Sequence, residues 1–116
     1  MTIKELENIL QAKIVVDSDN LDLNIDSACS ADMMSSVLYY HTANSLLITS
    51  LTQPHVIRTA EIAGISIIVF VLDKQPEQTT IDLAKEKKIP ILVTPYCMYT
   101  ASGKLFETGL PGCLNK

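Results

Sequence analysis

Short apolar runs alternate with polar stretches along this chain, and the clearest such unit spans Asn44 to Leu72. It predicts a strand over Ser45 to Ser50, a helix over Pro54 to Ala63 and a strand over Ile65 to Leu72. Gln53 precedes a proline and so avoids helical geometry. Pro54 suits the first helical position, where an N–H would have no partner in any case. Gly64 is placed to close the helix in a left-handed conformation. Ile65 to Leu72, interrupted only by Ser66, is apolar on both alternating faces, the pattern of a strand buried on both sides.

The pattern repeats downstream. Asp73-Lys74-Gln75-Pro76 is a second polar turn ending in proline, followed by a helix over Glu77 to Lys87. That helix turns Thr80, Ile81 and Ala84 inward and Lys85, Glu86 and Lys88 outward. Ile89 to Thr94 reads as another buried strand, and a last helix runs from Tyr96 or Cys97 to Thr108, closed by Gly109 and Pro111. Strands joined by helical crossovers lie parallel, with right-handed connections.

Upstream the elements are shorter. Thr2 and Glu5 form a capping box for a helix that starts at Ile3 and stops near Ala12, with Ile3, Leu6, Ile9 and Leu10 on one face. Ile14 to Val16 is a short strand and Asp17 to Asn20 a loop. Leu21, Leu23 and Ile25 alternate with Asp22, Asn24 and Asp26, which predicts a strand with one wet face. Ser27 to Ala31 is small and polar, and Ser30 is placed to cap a helix over Asp32 to Tyr40. The expected fold class is α/β: a mostly parallel sheet with helices packed on it, built from successive βαβ units. One domain is expected over residues 1–116, with a helix and edge strands in 1–28, the βαβ core in 29–110 and a loose tail in 111–116.

Composition narrows the function classes. A chain of 116 residues that is 47% hydrophobic can bury a real core. A net charge of −4, no Trp and no basic run longer than Lys87-Lys88 argue against nucleic acid and against an anionic membrane as partners. The longest apolar run is far too short to span a bilayer. Cys29, Cys97 and Cys113 form no C-x-x-C pair, and Met1 to Gln11 is amphipathic and acidic, unlike a leader. We therefore expect reduced thiols and a cytoplasmic location.

The candidate chemistry lies in the loops after the parallel strands. Open α/β sheets bind ligands beyond the carboxyl ends of their strands, and the free N–H groups of a helix N-terminus attract anions. Thr49, Ser50 and Thr52 bring hydroxyls to the loop Thr49 to Pro54, Gln53 brings an amide, and His55 adds a donor in the first helical turn. Asp73 and Lys74 follow the second strand and Thr94 the third, so all eight residues would share one rim. For each loop alone an ordinary turn with capping hydroxyls is the better reading; their convergence is the argument for a site. There is no phosphate-loop or dinucleotide signature, and Leu51 stands where a phosphate loop would carry glycine.

The remaining candidates are weaker. Cys29 beside Ser27, Ser30 and Asp32 suggests a nucleophile, but no base is local and a buried small side chain is the simpler reading. Two histidines and three cysteines at no recognised spacing give no metal site. No carboxylate pair suits acid/base work. Gly103-Lys104 follows no glycine-rich turn and is no phosphate loop. Met33, Met34, Leu38, Tyr39 and Tyr40 make one segment apolar around much of its circumference, which suits either core or a self-association surface.

The stretch LLITSLTQPHVIRTAEIAGISIIVFVLDKQPEQTTIDLAKEKKIPILVTPYCMYTASGKL resembles the DRTGG domain family, over about Cys29 to Leu110. That family is similar to the N-terminal domain of HPr kinase/phosphorylase and also occurs in some phosphate acetyltransferases and CBS-domain proteins. The naming signature is eroded: Ser50-Leu51-Thr52-Gln53 replaces glycines and an Asp-Arg pair, and Leu72-Asp73-Lys74 replaces Thr-Gly-Gly. The resemblance is strongest to small stand-alone members that look like accessory regulators. It implies a non-catalytic regulatory or ligand-sensing module, often a homodimer, with a nucleotide or other anionic small molecule, or a protein of a regulatory system, as partner. No cofactor is expected. The alternative is a structural dimerisation or adaptor domain without a small-molecule ligand.

Overall fold

A computed structural model describes residues 1–114. Five strands form one sheet in the order β1-β5-β4-β3-β2. They are β1 (Lys13–Val16), β2 (Ser27–Ser30), β3 (Ser45–Thr49), β4 (Ile65–Phe70) and β5 (Ile91–Val93). Four strands run parallel, and β1 joins β5 antiparallel at the far edge. The helices are α1 (Ile3–Leu10), α2 (Met34–Val37), α3 (Pro54–Ala63), α4 (Gln78–Lys87) and α5 (Met98–Glu107). The expected α/β architecture with successive βαβ units is what the chain adopts.

Strand alternation sorts the core into two layers. Leu46, Ile48, Ile67, Val69 and Leu92 pack with Leu6 and Leu10 of α1 and Ala101 and Leu105 of α5. Leu47, Ile68, Phe70, Ile91 and Val93 pack with Val37 of α2, Val56, Ile57 and Ala60 of α3 and Ala84 of α4. Both faces of β3 and β4 are therefore covered, which is why their sequences are nearly all apolar. Successive parallel strands lie side by side, so the three crossovers through α2, α3 and α4 all fall on one face.

The elements nearest the centre match their sequence signals. Helix α3 opens with Pro54 and ends on Gly64 at φ 77°, whose N–H reaches the carbonyls of Ala60 and Glu61. Thr2 caps α1 by accepting from the Glu5 amide. Three expectations at the margins are corrected. Leu21 to Ile25 is no strand: the Asn20 side chain accepts from the Asp22 amide and turns the chain, leaving Leu21 97% exposed. The edge strand is instead the small, polar Ser27–Ser30, in register with Ser45–Ile48 of β3. The helix expected over Asp32 to Tyr40 is a single turn, because Ser30 lies within β2 and Met33 at the N-cap offers no side-chain bond.

The tail is also better held than expected as far as Leu114. Gly112 bridges Ala28; the Ala28 amide donates to Pro111 O and the Cys113 amide to Ala28 O, each at 3.0 Å. Its last two residues, 115 and 116, lie outside the described residues.

Candidate functional site

The rim is assembled from the residues that leave the carboxyl ends of β2, β3, β4 and β5. Beyond β2 comes Asp32, exposed and centred on the start of the next loop. Its Oδ1 accepts from Thr49 Oγ1 at 2.9 Å and from the Ser50 amide at 2.7 Å, and its Oδ2 from Ser50 Oγ at 2.6 Å. Partial burial raises the carboxyl pKa, but the hydroxyl and amide of Ser50, the Thr49 hydroxyl and the charge of Lys74 outweigh it and hold the group below its ordinary value. An internal carboxylate thus already occupies the Thr49 and Ser50 donors that the sequence offers to an external anion.

The other loops are tied to this one. The Val71 amide donates to Thr49 O, and the Thr80 hydroxyl to Thr52 O at 2.7 Å, so β4 and α4 both brace the first loop. Leu72 and Asp73 take φ of 58° and 57°, and the Lys74 amide closes onto Val71 O. Two left-handed residues in a tight turn end β4 two residues before the predicted boundary. The Leu72 and Asp73 amides reach Tyr96 O and Thr94 O, which places the second and third loops side by side.

The eight predicted residues therefore fall into two sets. Thr49 and Ser50 are committed to Asp32, and buried Thr94 donates to Leu10 O at 2.6 Å while accepting from the Tyr96 amide. The side chains of Thr52, Gln53, His55, Asp73 and Lys74 bond to no other described residue; Gln53 is the α3 N-cap and His55 lies in its first turn. Sequence reasoning passed over Asp32 as a polar neighbour of Cys29. Its signal was position: an acid just past one parallel strand, beside hydroxyls just past the next.

A second concavity lies elsewhere. A groove of about 720 Å³ runs between α5 and β2, floored by Ala28 and Ile48 and walled by Tyr99, Gly103, Phe106 and Leu110. None of the eight predicted residues lines it. A 2.6 Å bond joins Ser30 Oγ to Ser102 Oγ there, and Thr100, Lys104 and Glu107 also line the groove. Tyr99 and Phe106 are 88% and 73% exposed along its lip.

The cysteine reading changes as well. Cys29 meets no base; its neighbour is Cys113, and burial first, then Cys113, pushes the Cys29 thiol up to about 12. Cys97 is exposed at the α5 N-cap, where the Thr100 hydroxyl and amide hold its thiol below the ordinary value. Among the described residues no cluster of three or more His, Cys, Asp or Glu could hold a metal ion, and no helix is long and apolar enough to cross a membrane.

Comparison with known proteins places this geometry in a family. The profile of the DRTGG domain matches residues 5–108. No curated protein matches. A solved structure, the CBS and DRTGG domains of the regulatory region of Clostridium perfringens pyrophosphatase complexed with its activator diadenosine tetraphosphate, shares the fold with a TM-score of 0.67 and 17% identity. The match covers 90% of this chain and 45% of that one, so this chain spans less than half of that relative. The chain belongs to the DRTGG domain family.

Proposed function

We propose that this DRTGG-family chain is a non-catalytic, ligand-sensing regulatory module that binds a nucleotide or other phosphorylated small molecule at the rim. The observation that carries the reading is the Asp32–Thr49–Ser50 network, beside five side chains that make no hydrogen bond to another described residue. Lys74 and the first-turn amides of α3 supply positive potential for phosphate oxygens, and His55 adds a ring N–H donor. Thr52 and Gln53 add neutral donors. Asp32 uses three of about four acceptor positions, which leaves capacity for a ligand hydroxyl or amino group. A nucleotide, with phosphates at one end and hydroxyls and ring amines at the other, satisfies both halves. Thr94 contributes by holding the third loop to α1 rather than by touching the ligand.

The relative's regulatory region, complexed with a dinucleotide activator, supports this class of ligand. Loops from four strands meet at the rim, so a ligand seated there stiffens several elements at once, which suits a sensor whose readout is a change in association. A cytoplasmic homodimer that answers to a partner protein is the setting we propose. Thermal-shift measurements against mono- and dinucleotides test the reading. A rise in Tm that saturates with one of them and is lost in Lys74→Ala and Thr52→Ala is expected. No shift with any anion overturns it.

A second reading, self-association without a ligand, is favoured by the exposed Tyr99 and Phe106 beside the α5 groove and by exposed Met33 and Tyr39 on the α2 segment. Self-association is common to both readings, so the thermal shift separates them: a dimer with no nucleotide-dependent shift favours the second, and a strict monomer at micromolar concentration removes it.

A further inference from the structure

We infer that Cys29 and Cys113 form a redox-operated clasp that fastens the C-terminal segment to the edge of β2. The two cysteines stand 84 positions apart in sequence, the difference of 113 and 29, yet the chain brings them together. Gly112 pairs with Ala28 in a parallel bridge, which sets Cys113 beside Cys29 on neighbouring strands. Adjacent strands hold their backbones about 4.8 Å apart, inside the roughly 4.4–6.8 Å window that a disulfide spans. Cys113 Sγ lies 3.3 Å from Ser45 Oγ and 3.6 Å from Ser27 Oγ, and Ser27 alternates onto the same face of β2 as Cys29. Cys113 lies near enough to Cys29 to help raise its pKa.

In the thiol form the clasp is open. The described segment is then held mainly by the two backbone bonds at Ala28 and by the His41 amide on Leu114 O at 2.8 Å. Such an edge opens easily. Leu110 and Gly112 line the α5 groove, so the same segment is part of the groove wall. Closing the clasp fixes the wall and covers the β2 edge.

The chemistry is thiol–disulfide exchange with a small-molecule disulfide as oxidant. The Cys113 thiolate attacks one sulfur of that disulfide; the external S–S bond breaks, a mixed disulfide forms at Cys113, and the departing thiolate takes up the proton that Cys113 released. Cys29 then attacks Cys113 Sγ, the mixed disulfide breaks, and the second small thiolate leaves with the Cys29 proton. Two protein thiols are oxidised to one disulfide, and one external disulfide is reduced to two thiols. Cys113 takes the first step because burial keeps Cys29 protonated.

The test is incubation of the full chain with glutathione disulfide, followed by thiol counting under denaturing conditions and peptide mapping. A linked Cys29–Cys113 peptide pair is expected, with Cys97 left outside the bond. Tm should rise on the order of 10 °C, and amide exchange at Ala28 and Cys113 should slow, both reversed by dithiothreitol. Cys97→Ser should behave as wild type. Cys29→Ser should stop at a glutathione adduct on Cys113 with no rise in Tm. No intramolecular bond in wild type, or a bond involving Cys97, overturns the inference.

Discussion

Asp32 and Ser50 meet twice at the rim, through the Ser50 amide at 2.7 Å and the Ser50 hydroxyl at 2.6 Å, although 18 residues separate them. With Thr49 they lock the exits of β2 and β3 together. The same contacts turn the Thr49 and Ser50 donors inward, so on the proposed reading a ligand would meet the neighbouring Thr52, Gln53, His55, Asp73 and Lys74.

Removing the carboxylate should loosen that lock. Asp32→Ala is expected to cost about 1 kcal/mol, below the usual range for charge-assisted bonds because the group is exposed and solvent-screened. The folded state lowers the Asp32 pKa, so its contribution is present above the unfolded value and lost as pH falls through the folded one. Urea titrations should show wild type and Asp32→Ala separated at pH 7 and converging in acid below about pH 4. A gap that widens in acid contradicts this.

Two glycines should respond in opposite directions to the same substitution. Gly64 sits at φ 77°, and an added Cβ would come 3.3 Å from Ala43 Cα. Gly64→Ala should therefore destabilise by about 1–2 kcal/mol. Gly103 lies inside α5 with open space where a Cβ would stand. Gly103→Ala should stabilise by about 0.5–1 kcal/mol. Denaturation midpoints of the two variants decide it, and a shared direction contradicts the assignment.

The legible part of this fold was the part governed by local signals. Pro54, Gly64 and the nearly continuous apolar runs of β3 and β4 each state a backbone conformation, and α3 appears with the boundaries those residues predict. The edges were harder. Leu21 to Ile25 alternates like a strand, but an Asn20 turn and burial of Ile25 produce the same alternation without one. Ser27–Ser30 carries no β signal of its own and becomes a strand because β3 pairs with it. At the rim, positions were legible but commitments were not. Thr49, Ser50 and Thr94 look like free hydroxyls until Asp32 and Leu10 O come into range, and those contacts are tertiary.

The thiols should react in a fixed order in the native state. Exposed Cys97, whose thiolate is favoured by Thr100, should be alkylated first and with an apparent pKa below that of a free thiol. Cys29 should be alkylated by external iodoacetamide only after unfolding, because burial holds it protonated and shields it from reagent. Mass spectrometry after brief iodoacetamide treatment at pH 8 reads this directly, and early labelling of Cys29 contradicts it.

The central claim is that a phosphorylated small molecule binds at the rim rather than in the α5 groove. Amide chemical-shift mapping during titration with the nucleotide that gives the largest thermal shift tests this most directly. The account predicts saturating shifts at Asp32, Ser50, Thr52, His55 and Lys74, and at least tenfold weaker binding in Lys74→Ala. Shifts confined to Ser30, Ser102 and Phe106, with affinity unchanged in Lys74→Ala, would contradict it.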